Sequence, residues 1–229
     1  MNTSQSNLCI IPARGGSKRI PRKNIKDFLG KPIIAYSIEA ALRSGLFSEV
    51  MVSTDDEEIA NVARQYGAKV PFFRTEKTSD DFATLSDVIE EVKEFYQEKG
   101  MRFDNICCVL ATAPFVSIQL LQSLYDIMID KNYDSIRPIV RFSFPIQRAL
   151  KSVDGKIEMF NPQYLRTRSQ DLEAAFHDAG MFYWMKFDDA LQGDNKGGVE
   201  ISEKIAQDID TLDDWAIAEF KFKYLTSEE

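Results

Sequence analysis

Five cations crowd one glycine-containing loop near the start of the chain. Arg14, Lys18, Arg19, Arg22 and Lys23 stand in the run A-R-G-G-S-K-R-I-P-R-K-N, which follows the apolar residues 8–12. In a sequence of 229 residues with a formal net charge of -8, that concentration of positive charge needs a local reason. Gly15 and Gly16 allow the backbone to bring N–H groups close to a ligand, and Arg and Lys side chains suit phosphate oxygens. The combination suits a nucleoside triphosphate; the alternative is a solvated basic surface loop. Neither G-x-x-x-x-G-K-[ST] nor G-x-G-x-x-G occurs in this loop, so it is neither a Walker A loop nor a dinucleotide fingerprint.

Two carboxylates far along the chain could complement it. In Gln207-Asp208-Ile209-Asp210-Thr211 an extended backbone would send Asp208 and Asp210 to one face and Ile209 into the core. Such a pair suits Mg2+, which takes one or two carboxylates and completes its octahedron with water and phosphate. The competing reading is helix capping, since Thr211 and Asp214 form a plausible capping box and Asp213 and Asp214 fit a first helical turn. Capping leaves both upstream carboxylates unexplained. Arg74 followed by Ser79-Asp80-Asp81-Phe82-Ala83-Thr84 reads equally as a turn with a helix cap or as a ligand contact. Leu110-Ala111-Thr112-Ala113-Pro114 carries a buried strand into a proline turn, a favoured ligand position in α/β sheets. His177 is the only histidine, and an isolated one is more often structural or substrate-lining than a general base.

The basic loop resembles the nucleotide-binding loop of the sugar-activating cytidylyltransferases, which make CMP-linked acidic sugars, and the likeness runs in order from Leu8 to Trp215. The resemblance implies nucleotide contacts from Ala13, Arg14, Gly15, Gly16, Ser17, Lys18, Lys23 and Asn24, and cytosine and ribose contacts from Arg74, Ser79, Asp80 and Thr84. It assigns Asp208 and Asp210 to a divalent ion, Mg2+, and makes them catalytic together with Arg14 and Lys18. Where the family often reads L-Q-P-T-S-P, Ala111 replaces a glutamine that reaches the sugar in the sialic acid enzymes, which points away from N-acetylneuraminic acid. The run H-D-A-G-M-F-Y-W from His177, F-S-F-P-I-Q-R-A from Phe142 and R-S-Q-D from Arg168 resemble the pseudaminic acid branch.

The implied reaction joins CTP to a nine-carbon acidic sugar with release of pyrophosphate, and the implied sugar contacts are Ala111, Thr112, Arg166, Arg168, Gln170, His177 and Asp178. An ionised sugar carboxylate needs a cationic or multidentate partner, for which Arg148, Arg166 and Arg168 are the candidates in the inserted region. The same arginines could serve a subunit interface, because the family builds a homodimer from this region. Other readings are a cytidylyltransferase for N-acetylneuraminic, legionaminic or 3-deoxy-manno-octulosonic acid, and a non-catalytic nucleotide-sugar sensor. A sensor would have lost a metal carboxylate or a loop cation, yet Asp208, Asp210, Arg14 and Lys18 are all present.

The elements that must position these residues follow an α/β rhythm. Strands are expected at residues 8–12, 49–53, 70–73, 105–111, 135–140, 182–186 and 205–209, and helices at 33–44, 55–66, 85–98, 117–130 and 211–224. The expected fold is a Rossmann-like three-layer α/β/α domain with a mainly parallel sheet, spanning 1–229. Between residues 141 and 180 the rhythm breaks. Residues 146–151 and 156–160 read as a hairpin around Asp154-Gly155, making this a small inserted β-containing arm, to which the resemblance assigns dimerisation and sugar binding. The acidic balance argues against nucleic-acid and anionic-membrane partners. No stretch is long enough to cross a bilayer and the first residues carry no signal-peptide pattern, so a cytoplasmic protein is expected. Cys9, Cys107 and Cys108 lie in apolar runs without CxxC spacing and read as core residues.

Overall fold

A computed structural model describes residues 6–227. The chain opens with β1 (Asn7–Pro12), a short pair β2 (Asp27–Phe28) and β3 (Lys31–Pro32), then α1 (Ile33–Ser44), β4 (Glu49–Ser53), α2 (Glu57–Gln65) and the single turn α3 (Glu76–Ser79). After α4 (Leu85–Glu98), β5 (Asn105–Val109), α5 (Ile118–Lys131) and β6 (Ser135–Arg141) comes the arm hairpin of β7 (Leu150–Val153) and β8 (Lys156–Met159). The chain closes with β9 (Phe176–Asp178), β10 (Phe182–Lys186), β11 (Lys196–Ile201) and α6 (Leu212–Ser227).

The main sheet runs β11-β6-β10-β5-β1-β4, with β9 added beside β6. β1 is parallel to β4 and β5, and β6 to β11, while β10 runs against β5 and β6, and β9 against β6. The expected three-layer, mainly parallel architecture is therefore present. β1 and β5 can be nearly continuous apolar runs because both their faces are covered: Leu8, Ile10 and Cys108 pack on α4, whereas Cys9, Ile11 and Cys107 pack toward α1, α5 and α6. All three thiols are buried, and burial pushes each of them up. Among the described residues no helix is long and apolar enough to cross a membrane.

Helix starts follow local chemistry. Thr84 and Asp87 form a reciprocal capping box at α4, Ser117 accepts from the Leu120 N–H at α5, and Asp56 accepts from the Ile59 N–H at α2. Asp154 (φ 50°) and Gly155 (φ 77°) supply the positive dihedrals that a tight hairpin turn requires. The arm leaves β6 at its end and returns through β9, and Phe144, Ile157, Phe160 and Leu165 stand exposed on it.

Three expectations need correction. Residues 70–73 form no strand; only single parallel bridges pair Lys69 with Met51 and Phe73 with Thr54, because four steps of this chain lie against three of β4 and the ladder between the two bridges is broken. The first half of the predicted arm strand at 146–151 is a 3-10 turn, Ile146–Arg148, after Pro145. Residues 205–209 are not a strand either: a 3-10 turn, Glu203–Ile205, is followed by extended chain without sheet pairing, and the edge strand is β11 instead. Its Gly197 and Gly198 look like loop residues in sequence, yet they are there for close approach. A Cβ on Gly197 would stand 2.6 Å from the Tyr133 ring.

Gly197→Ala should therefore destabilise the fold by about 1–3 kcal/mol, the usual cost of overpacking. Urea unfolding checks this, and an unchanged midpoint would remove the packing explanation for that glycine.

Candidate active site

β1 carries the cationic loop to the C-terminal edge of the sheet, where Arg14, Ser17, Lys18, Lys23 and Asn24 line a cavity of about 530 Å3. Ala13 is buried beneath, its N–H donating to the Ser53 carbonyl at 2.9 Å. Asn24 closes the loop by donating from Nδ2 to the Arg14 carbonyl at 2.9 Å. Gly15 plays a different part from the one its sequence suggests. Its N–H is taken by Asp55 Oδ1 at 2.9 Å, and a Cβ on it would meet Asp56 Oδ2 at 2.8 Å. Its smallness therefore lets the loop pack on the start of α2. Gly16 does have open space around it, but neither glycine lines the cavity.

The five cations divide by partner. Arg14 donates to the Asp80 carbonyl at 2.9 Å and pairs with Asp81 at 3.3 Å, and Lys18 pairs with Asp81 as well. Arg19 pairs with Asp210 at 2.8 Å; Lys23 donates to the Ile209 carbonyl at 2.6 Å and lies 3.5 Å from Asp210. Arg22 stands apart, clamped to Asp56 and Glu58 at the head of α2, where its hydrogen bonds hold the Asp56 carboxyl down to about 2. It anchors the loop and does not line the cavity.

Arg74 forms a second wall, its Nε and Nη2 donating to the Ser53 hydroxyl and carbonyl, each at 2.8 Å. Burial lowers this guanidinium from its ordinary value. Thr84 lines the same cavity while capping α4. Ser79 and Asp80 do not line it: the Ser79 hydroxyl donates to the Thr75 carbonyl, and the Asp80 carboxylate accepts the N–H groups of Phe82 and Ala83. They shape the loop that Arg14 grips. Ala111 and Thr112 enter from the end of β5.

Opposite the loop, the acid pair holds its expected orientation without a strand. Ile209 is fully buried while Asp208 and Asp210 both face the cavity. Partial removal from water, then the charge of Asp210, raises the Asp208 carboxyl above its ordinary value. Thr211 and Asp214 form the capping box read from sequence, and Asp214 Oδ2 also accepts the Asp210 N–H at 3.1 Å. The same pair forms a wall of a second cavity of about 380 Å3, lined also by His177, Asp178 and Lys221. His177 donates from Nδ1 to the Asp178 carbonyl at 2.9 Å, leaving Nε2 of the neutral ring as an acceptor. Asp178 is braced by Arg137 at 3.0 Å, and Gly180, at φ 64°, turns the chain beside Asp208. Arg137 carried no recognisable sequence signal, because its partner lies on β9, across the arm.

The arm residues are not brought to either cavity. Arg166 and Gln170 are exposed, and Arg168 makes a two-pronged contact with Asp171 at 2.8 and 3.1 Å, whereas Arg148 lies 3.4 Å from the Ser169 hydroxyl. Among the described residues no group of three or more His, Cys, Asp or Glu is arranged to hold a metal. The donor set of Asp208 and Asp210 nonetheless fits Mg2+, which needs few protein ligands, and the mutual repulsion of the pair is what a cation would relieve.

A family model described as "Cytidylyltransferase" matches residues 8–218. The Campylobacter jejuni protein "Pseudaminic acid cytidylyltransferase" is 44% identical over 95% of this chain and 96% of its own length. The Legionella pneumophila "CMP-N,N'-diacetyllegionaminic acid synthase" is 34% identical over 93% of this chain and 94% of its own. A solved CMP:2-keto-3-deoxy-manno-octonic acid synthetase complexed with CTP superposes with a TM-score of 0.69 over 97% of this chain and 99% of that one; at 17% identity it shares the fold.

Asp208→Asn keeps the side-chain shape and removes one of two repelling charges. The ligand-free variant should melt about 2 °C higher at pH 7. The raised carboxyl costs stability only while ionised, so this gain should shrink as pH falls through the raised native value and be gone below about 4, the ordinary carboxylate value, where native and unfolded groups are both neutral. Scanning calorimetry checks both, and a lower midpoint at pH 7 would contradict the repulsion.

Proposed function

Because the chain belongs to the cytidylyltransferase family, and is therefore a nucleotidyltransferase, we propose that it transfers CMP from CTP to pseudaminic acid. The anomeric hydroxyl of this nine-carbon 2-keto acidic sugar attacks the α-phosphorus in line, and pyrophosphate leaves without a covalent enzyme intermediate. One observation carries the reading: the Asp208–Asp210 pair is a common wall of two adjoining cavities. The first is ringed by Arg14, Lys18, Lys23 and Arg74 and suits a nucleotide; the second, with His177 and Asp178, suits a hydroxylated partner. Similarity of 44% to the pseudaminic acid protein, against 34% to the legionaminic acid one, favours the first sugar.

Charge placement does most of the work in such transfers. Arg14 and Lys18 exchange the Asp81 carboxylate for phosphate oxygens, and Lys23 reaches the same group from the side of Asp210. Ser17 and Asn24 hold the loop around the triphosphate, and Arg74 with Thr84 faces the nucleoside. Asp208 and Asp210 would hold Mg2+, which when bound supplies positive charge to the departing pyrophosphate and acidifies a hydroxyl near it. On the sugar side, Ala111 leaves room at the end of β5, Thr112 offers a hydroxyl, and His177 Nε2 accepts from a sugar hydroxyl. We assign the arm, with its exposed Phe144, Ile157, Phe160 and Leu165, to a homodimer. Arg166, Arg168 and Gln170 then serve the sugar site only in that assembly. The three unpaired buried thiols accord with a cytoplasmic setting.

Purified protein supplied with CTP, Mg2+ and a panel of pseudaminic, legionaminic, N-acetylneuraminic and 3-deoxy-manno-octulosonic acids should release pyrophosphate fastest with the first. Preference for another member overturns the sugar assignment. Asp210→Asn should lower turnover at least ~100-fold with the fold retained by circular dichroism; full activity would sink the role of the acid pair.

A further inference from the structure

The segment carrying the acid pair has no strand neighbour, so something other than sheet pairing must fix it. Between the 3-10 turn Glu203–Ile205 and α6, residues 206–211 lie extended without ladder hydrogen bonds. Ile209 fixes depth by entering the core, and Lys23 fixes the far side by donating to the Ile209 carbonyl at 2.6 Å. The near side is held by Lys221, from the middle of α6. Its ammonium donates to the carbonyls of Glu203 and Ala206 at 3.0 and 2.8 Å, and to Gln207 Oε1 at 3.0 Å. Gln207 passes the constraint on, donating from Nε2 to the Asp208 carbonyl at 3.0 Å.

Lys221 also lines the second cavity, where a cation could be read as a partner for a sugar carboxylate. The donor count argues otherwise. An ammonium has three N–H donors and no acceptor, and all three are engaged by residues 203–207. The cavity wall around it is strongly acidic, with Asp178, Glu203, Asp208, Asp210 and Asp214. A lysine released from its three oxygens would leave the Glu203 and Ala206 carbonyls and the Gln207 amide without their donor.

We infer that Lys221, acting through Gln207, is a positioning residue that sets where Asp208 and Asp210 stand, and so how well the pair takes a divalent cation beside CTP. The inference rests on the assignment of that pair to the metal. Groups that orient metal ligands typically cost 10–100-fold in metal affinity or activity when removed.

The test uses the intact protein with Mn2+ and CTP but no sugar, so that nothing turns over. Proton relaxation enhancement separates protein-held Mn2+·CTP from the free complex. Lys221→Met and Gln207→Leu should each weaken retention of Mn2+·CTP about 10-fold. In assays with sugar, each should lower kcat/KM for CTP by a similar factor while KM for the sugar stays within about two-fold. Lys221→Arg, which keeps charge and donors, should recover most of the loss. Should Lys221→Met fail to fold, Gln207→Leu alone decides, since its side chain lies at the surface of the cavity. Wild-type retention by folded Gln207→Leu, or equal losses in Lys221→Met and Lys221→Arg, overturns the inference. Asp210→Asn is the separate control. If it retains Mn2+·CTP as the wild type does, the metal assignment itself is wrong and the positioning role falls with it; if it loses retention while Gln207→Leu does not, only the positioning role fails.

Discussion

Ile209 is the fixed point of the site. Full burial of an isoleucine side chain stabilises the fold by roughly 1.5–3 kcal/mol, and in an extended chain it dictates that both neighbours face the opposite way. Two carboxylates with no attraction for each other are thus held at one wall by the apolar residue between them. The loop cations, the capping box at α6 and the turn at Gly180 are all disposed around that wall. Loss of the core contact would release the acid pair whatever the state of the nucleotide loop.

Electrostatic balance explains how an acidic protein keeps such a loop ordered. Arg14 and Lys18 rest on Asp81, Arg19 and Lys23 face Asp210, and Arg22 is spent on Asp56 and Glu58. Exposed pairs of this sort contribute little to stability, so exchanging the Asp81 carboxylate for a triphosphate costs little. The loop is held in place by weak internal anions, which on the proposed function a triphosphate would replace.

What could be read from the sequence was whatever local chemistry determines. Thr84 and Asp87, Ser117 and Asp154-Gly155 announce helix and turn boundaries through nearest neighbours, and those elements fall where their residues predict. The Asp208–Ile209–Asp210 alternation was legible for the same reason, although the strand inferred from it was not there. Contacts across large sequence distances were not legible. Gly197 needs to be small because of Tyr133, Gly15 because of Asp56, and neither partner is visible from the glycine's own neighbourhood. Arg22 resembles its fellow cations in sequence and differs only in having α2 beside it. Lys221 sits in an ordinary helical pattern, and its importance appears only when the carbonyls of 203–207 come under it.

The reversed direction of β10 has a broader meaning. Because β10 begins at the edge where β1, β5 and β6 end, the His177–Gly180 segment leading into it reaches the Asp208–Asp210 wall without any crossover. The chain leaves that edge after β6 and comes back to it at β9, so everything between is an excursion that starts and finishes beside the acceptor cavity. On the proposed function, such a layout puts the nucleotide side on the sheet and its first loop and hangs the sugar side from one closed detour whose ends are fixed at β6 and β9, so a change within the detour would leave the nucleotide side where it is.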